Sequence, residues 1–280
     1  MGIVNTTPDS FSDGGQFANP AAAIDYCRRL IDEGADILDI GGESSRPGAD
    51  TVSLDEERRR VLPVLEAVLA IGHPVSIDTT KPALMAEALA LGADIVNDIH
   101  ALRAPAAIDV VAAHPSCGVC LMHMQGDPPS MQLRACYTDV VVDVRSMLRG
   151  RVDALTARGV AADRLVLDPG IGFGKTVEHN LELLRRQPEL LTLGRPLLVG
   201  WSRKSSLGAL TGRAVGDRMA ASLAAALASV VYGASIVRVH DVSATVDALR
   251  VWRAAGLPIT PATHDELSAR EAAARQRPSP

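Results

Sequence analysis

The chain has 280 residues, a formal net charge of −5, 47 % hydrophobic residues and only 3 % aromatic ones. The acidic balance argues against a nucleic-acid-binding protein, and no run reaches the roughly 20 apolar residues of a membrane span. A length near 280 suits one (β/α)8 barrel, which typically needs about 250 residues, and small aliphatic residues must then fill its layers.

A short apolar run, a polar cluster and an amphipathic helix recur eight times along the chain. Strands are predicted at 2–5, 36–40, 75–78, 95–97, 118–122, 165–168, 197–200 and 236–240. Helices are predicted near 20–34, 53–71, 82–91, 105–113, 139–158, 178–187, 216–232 and 243–254. Near-continuous apolar strands alternating with helices indicate a parallel sheet covered on its outside, and eight units favour closure into an α/β (β/α)8 TIM barrel over residues 1–256. Gly34-Ala-Asp36 and Gly92-Ala-Asp94 each sit where a helix should end before a strand, and glycine there can take the left-handed conformation. Pro82 suits a first helical turn. From about 257 periodicity is lost, so 257–280 is expected to be a partly disordered tail. The start lacks a basic-then-apolar signal pattern, which points to the cytoplasm. Cys27, Cys117, Cys120 and Cys136 are then expected to be reduced thiols.

Position is the informative property of the polar residues. Strand after strand ends in one: Asn5, Gly41 with Glu43 beyond it, Asp78, Asn97, His123, Asp168, Ser202 and His240. Barrel active sites are assembled from these carboxyl ends. Parity places Ser76 with Asp78 on one face of strand three, and Arg238 with His240 on one face of strand eight. Two loops favour anions: 41–48, which combines glycines, hydroxyls and Arg46, and 202–205, which opens a helix after strand seven. Asp78, Asn97 and Asp168 could read a heterocycle that carries amino, ring N–H and oxo groups. His114, Cys117, Cys120 and His123 look like a zinc set, but strand parity turns Cys120 and His123 apart. Gly172-Phe-Gly-Lys-Thr176 hints at a P-loop, but Pro169 replaces the first glycine.

Taken in order, these segments resemble the dihydropteroate synthase family. They are Gly2-Ile-Val-Asn5, Thr7-Pro-Asp-Ser-Phe-Ser-Asp-Gly-Gly15, Gly42-Glu-Ser-Ser-Arg-Pro-Gly48, Ser76-Ile-Asp-Thr79, Asn97-Asp98, Leu121-Met-His-Met-Gln-Gly126, Asp168-Pro-Gly-Ile-Gly-Phe-Gly-Lys175, Ser202-Arg-Lys204 and Arg238-Val-His-Asp241. The resemblance implies condensation of 6-hydroxymethyl-7,8-dihydropterin diphosphate with p-aminobenzoate, releasing pyrophosphate, with Mg2+ as cofactor. It implies a pterin site of Asp78, Asn97, Met122, Asp168, Phe173, Gly200, Lys204 and Arg238. It implies diphosphate binding by Asn5, Arg46, Arg238 and His240, with Asn5 also a metal ligand. Phe11, Ser45, Pro47, Phe173, Lys204 and Ser205 would surround p-aminobenzoate. Asp78, Asp168, Lys204, Arg238 and His240 would carry the catalysis.

The resemblance also implies a homodimer, to which apolar helices near 180–190 and 216–232 could contribute. Members usually carry a segment upstream of strand one; here Met1-Gly2 leads straight into it, which is expected to cost stability. Ser45 stands where the family often has Thr, and nothing beside Pro47 marks drug resistance, so sulfonamide sensitivity is expected. Two rival readings are a methyltetrahydrofolate–corrinoid methyltransferase domain and a non-catalytic pterin-binding paralogue. The first would not need the 41–48 and 202–205 loops; the second would lack Arg46, Lys204, Arg238 or His240.

Overall fold

The computed structural model describes residues 1–7, 20–45, 48–126, 131 and 135–256. Strands and helices alternate as β1 (Gly2–Asn5), α1 (Pro20–Asp32), β2 (Leu38–Gly41), α2 (Leu54–Ile71), β3 (Val75–Asp78), α3 (Pro82–Leu91), β4 (Ile95–Asp98), α4 (Ala107–Ala113) and β5 (Gly118–Met122). The second half continues with α5 (Val140–Ala157), β6 (Leu165–Asp168), α6 (Val177–Arg185), α7 (Pro188–Leu191), β7 (Leu197–Val199), α8 (Ser205–Thr211), α9 (Met219–Val231), β8 (Ala234–Val237) and α10 (Val242–Ala254). The strands pair in the order β1 to β8, each with its sequence neighbour. Gly2 bridges Val239 in parallel, so the sheet closes on itself as the expected (β/α)8 barrel.

Alternation along each strand divides the interior. Leu38, Ile40, Val75, Ile77, Val96, Leu121 and Leu167 lie in the main core together with helix residues such as Val61, Leu65 and Leu148. Each such side chain contributes about 1.5–3 kcal/mol by leaving water. Residues of the other parity face the lumen. Its floor is a small apolar cluster of Met1, Cys120 and Leu198 with Ile37, Val166 and Ile236. Above that floor the same strands turn polar, and the site lies there.

Local chemistry sets the helix ends. Ser53 accepts from Glu56 N, Asp139 accepts from Val141 N and Val142 N, and Thr176 forms a reciprocal cap with His179. Gly34 and Gly92 have φ of +94° and +115°, as their positions before strands require.

Several boundaries differ from the predicted ones. β2 covers Leu38–Gly41 rather than 36–40, because Gly41 pairs with Asp78 and residues 36 and 37 precede the ladder. β8 covers Ala234–Val237 rather than 236–240, because the β7–β8 register slips between Leu197 and Leu198. Arg238 and His240 therefore sit just past the strand. The helix predicted at 216–232 starts at Met219, after a 3-10 turn at Val215–Asp217. No helix among the described residues is long and apolar enough to cross a membrane.

Candidate active site

The centre of the barrel mouth is a hydrogen-bonded chain of polar groups built on β2, β3, β4 and the residue that follows β8. Arg238 Nη2 donates to Asp78 Oδ2 at 2.7 Å, and its Nε donates to Asp39 Oδ2 at 2.6 Å. Asn97 Nδ2 donates to the same Asp39 oxygen at 3.1 Å. Asp39 is fully buried, while the Asp78 and Arg238 side chains keep 19 % and 21 % exposure. Burial, then the neighbouring Asp39 carboxylate, pushes the Asp78 carboxyl up to about 7 against the pull of Arg238. Burial opposes the charge on Arg238, but Asp39 and Asp78 outweigh it and hold the guanidinium above its ordinary value. Gly200 lies beside Arg238, and a Cβ built on it would stand 3.8 Å from Arg238 Cβ.

The β6–α6 loop forms one wall. Asp168, buried at the end of β6, accepts from Gly170 N at 2.7 Å. Burial raises its carboxyl, opposed by that bond and by Lys204, Arg238 and Lys175. Phe173 packs with Met122, Met124 and Met131, and the Lys204 ammonium stands 4.1 Å over its ring. Burial, then Arg238, lowers Lys204 to about 8.

The loop holds its shape through Lys175, whose Nζ donates to Gly170 O at 2.9 Å, Phe173 O at 3.0 Å and His123 O at 3.3 Å. His123 Nδ1 also lies 3.0 Å from Nζ. Burial lowers Lys175 to about 7, and burial with the Lys175 charge lowers His123 to about 3. The residue that imitates a P-loop lysine is therefore the knot of this wall. Parity holds for the zinc decoy too: Cys120 faces the lumen floor and His123 faces Lys175.

The loops after β7 and β8 interlock. Arg203 adopts φ +60°, and its N donates to Ser222 Oγ at 3.0 Å while its guanidinium pairs with Asp241. Lys204 and His240 are the chain neighbours of the two members of this pair. Ser202 Oγ lies 3.0 Å from His240 Nδ1 and accepts from His240 N at 3.1 Å. Burial, then Arg203 and Arg238, lowers His240 to about 4, so the imidazole is neutral at pH 7. Ser205 is exposed at the first position of α8.

Ser45 lines a cavity of about 390 Å3 that also touches Glu43, Asp78, Lys81, Ile99 and His100. Lys81 bonds both Glu43 and the fully buried Glu57, and Arg60 Nη1 donates to Gly42 O at 2.9 Å. The root of the 41–48 loop is thus pinned to α2 and α3. Asn5 ends β1, half-buried, at the same rim. Phe11, Arg46, Pro47 and the 257–280 tail lie outside the described residues.

The structure brings Asp78, Asn97 and Arg238 into one hydrogen-bonded set, and Lys204 onto Phe173. It adds residues that the sequence reading missed, above all Asp39 and Lys175. Asp39 was legible: Leu-Asp-Ile-Gly at 38–41 repeats the parity of Val-Ser-Ile-Asp at 75–78, and Asp39 shares a face with Gly41. Lys175 left no comparable sign, because its partners are main-chain carbonyls.

A family model described as pterin binding enzyme matches residues 1–240. A dihydropteroate synthase of Neisseria meningitidis serogroup B is 53 % identical, over 92 % of this chain and 92 % of its own. The Xanthomonas albilineans dihydropteroate synthase solved with 4-aminobenzoic acid superposes with a TM-score of 0.86 at 50 % identity, covering 92 % of this chain and 93 % of that one. The same species' enzyme in complex with 7,8-dihydropteroate gives 0.83 at 47 %, covering 92 % and 94 %.

Proposed function

The chain belongs to the dihydropteroate synthase family of pterin-binding enzymes, and from that premise we propose how its own residues divide the work. The reaction joins the p-aminobenzoate nitrogen to the methylene carbon of 6-hydroxymethyl-7,8-dihydropterin diphosphate. The carbon–oxygen bond to diphosphate breaks, the new secondary amine loses one proton, and 7,8-dihydropteroate and pyrophosphate leave.

The observation that carries the assignment of roles is the Asp39–Asn97–Arg238–Asp78 set with Asp168 and Lys204 beside it. Asp78, Asn97, Asp168 and Lys204 offer acceptors and a donor to the pterin edge, Arg238 its flat face, and Met122, Phe173 and Gly200 the slot walls. An arylamine is neutral at pH 7, so its lone pair needs no strong base. The barrier lies in the leaving group and in positive charge developing at the methylene. The Asp78 and Asp168 carboxylates stabilise that charge as it spreads into the pterin, which favours a dissociative, SN1-like displacement. Arg238 commits Nε and Nη2 to carboxylates, leaving Nη1 for the diphosphate together with neutral His240 and Arg46. Lys204 over Phe173, with Ser45, Ser205, Phe11 and Pro47, bounds the p-aminobenzoate side.

The donor set fits Mg2+ carried by the substrate. Asn5 offers one hard amide oxygen, and no group of three or more His, Cys, Asp or Glu among the described residues forms a dedicated cage. Bound there, the ion would neutralise charge on the departing diphosphate. Leu210, Val215 and Met219 expose apolar surface around α8 and α9, which supports a homodimer formed through that region.

The test is pyrophosphate release from the dihydropterin diphosphate, with and without p-aminobenzoate, Mg2+ and a sulfonamide. Release that needs p-aminobenzoate and Mg2+ and is blocked by sulfonamide supports the roles given. Release indifferent to Mg2+ removes the role of Asn5, and insensitivity to sulfonamide alongside a tight p-aminobenzoate KM removes the sensitive reading.

A further inference from the structure

Asp39 is fully buried, yet only one of its oxygens is used. Oδ2 accepts from both Arg238 Nε and Asn97 Nδ2, while Oδ1 has no hydrogen-bond partner. Its register neighbour on β3, Ser76, also has a buried hydroxyl without a partner. A buried carboxylate with an empty oxygen is a poor way to hold a barrel together. The floor beneath it is made of apolar side chains, with the Met1 ammonium there donating to Val237 O rather than to Asp39. What it does hold is the orientation of two groups above it.

A carboxamide can present either end. With Nδ2 committed to Asp39, the end of Asn97 left for a ligand is Oδ1, an acceptor. A guanidinium is planar, and two carboxylates on adjacent strands, Asp39 on β2 and Asp78 on β3, fix its plane through Nε and Nη2.

We infer that Asp39 is a positioning residue for the pterin: it sets the amide of Asn97 to accept and the plane of Arg238 to lie flat against the ring. The inference rests on the assignment of Asn97 and Arg238 to the pterin site. Without Asp39 the amide is free to turn its donor end outward and meet a ligand N–H. Such a mismatch costs about 10- to 100-fold in affinity. The p-aminobenzoate side, bounded by Lys204 and Phe173, should be indifferent.

The experiment compares Asp39→Leu and Asp39→Val, which remove both oxygens, with Asp39→Asn, which keeps an amide oxygen in the place of Oδ2. Thermal melts come first. Binding of 6-hydroxymethylpterin, which lacks the diphosphate, is then measured by calorimetry, and KM is measured for both substrates. The expected result is pterin affinity weakened 10- to 100-fold in Asp39→Leu or Asp39→Val and within about threefold of wild type in Asp39→Asn. The p-aminobenzoate KM stays within about twofold throughout. Unchanged pterin affinity in a folded apolar variant, or both KM values rising together, overturns the inference. So does failure of both apolar variants to fold while Asp39→Asn folds, since the role would then be structural. Absence of pterin binding by the wild type would overturn the reading of the whole site, a result distinct from equal binding by wild type and variant.

Discussion

Gly170→Ala puts the strongest demand on the geometry of the β6–α6 loop. Gly170 has φ +68°, and a methyl group built on it would overlap the carbonyl oxygen of His123. The left-handed backbone alone costs an alanine about 1–2 kcal/mol. The overlap is with main chain, so one of the two loops must move. Gly170 N is bonded to Asp168 Oδ1 at 2.7 Å and Gly170 O to Lys175 Nζ at 2.9 Å. Hydrogen bonds to charged groups are worth about 1.5–3 kcal/mol each, and displacement of the loop weakens both. With both bonds lost the sum is about 4 kcal/mol or more, equivalent to a fall in Tm of roughly 10 °C for a chain of this size. Because Asp168 loses its anchor, pterin affinity should fall at least tenfold even in protein that remains folded at 25 °C. Differential scanning fluorimetry and pterin calorimetry on the same preparation read both effects. A Tm within about 2 °C of wild type with unaltered pterin affinity would refute the reasoning.

A contrasting glycine gives the opposite sign: Gly150, exposed inside α5 with no atom within 4 Å of a built Cβ, should gain about 0.8–1 kcal/mol as alanine, and a lowered Tm would count against that. Asp168→Asn should keep the fold but lower kcat at least tenfold by removing a carboxylate that faces developing positive charge; wild-type turnover in a single-turnover assay would remove Asp168 from the mechanism. Asp78 titrates near 7 in the free enzyme, so affinity for 6-hydroxymethylpterin should weaken as pH falls through about 7, a probe that avoids the titration of the diphosphate itself. A flat binding profile from pH 5.5 to 8.5 would contradict this. The same shift acts oppositely on folding: the folded state binds the extra proton between the ordinary carboxylate range and 7, so this group's contribution to stability diminishes as pH rises across that window.

The barrel was legible because apolar strands covered on both faces leave a simple mark, and eight repeats of it left few architectures. The rim residues Asp78, Asn97, Asp168 and His240 were legible for a related reason: each interrupts an apolar run at its carboxyl end. What sequence could not show was who holds whom. Arg238 meets Asp39 across 199 positions and Asp78 across 160, and nothing in either local segment announces the pairing. The end of β8 was misplaced because a register slip at Leu197 depends on how β7 and β8 curve into the closing seam. Lys175 was read as a failed nucleotide motif and as the end of a family segment but given no role, since its acceptors are carbonyl oxygens that any sequence would supply.

The Lys175 knot also constrains how this protein can change over generations. One buried ammonium serves carbonyls from the β6–α6 loop and the loop after β5, so a substitution in either segment is felt in both. A pocket wall built this way resists stepwise adjustment, because most single changes lose the whole wall before they reshape it. The 41–48 loop is fastened at its root by a different kind of contact, the side chains of Lys81 and Arg60. Under selection by a competitor of p-aminobenzoate, the sequence from Asp168 to Lys175 should therefore stay fixed.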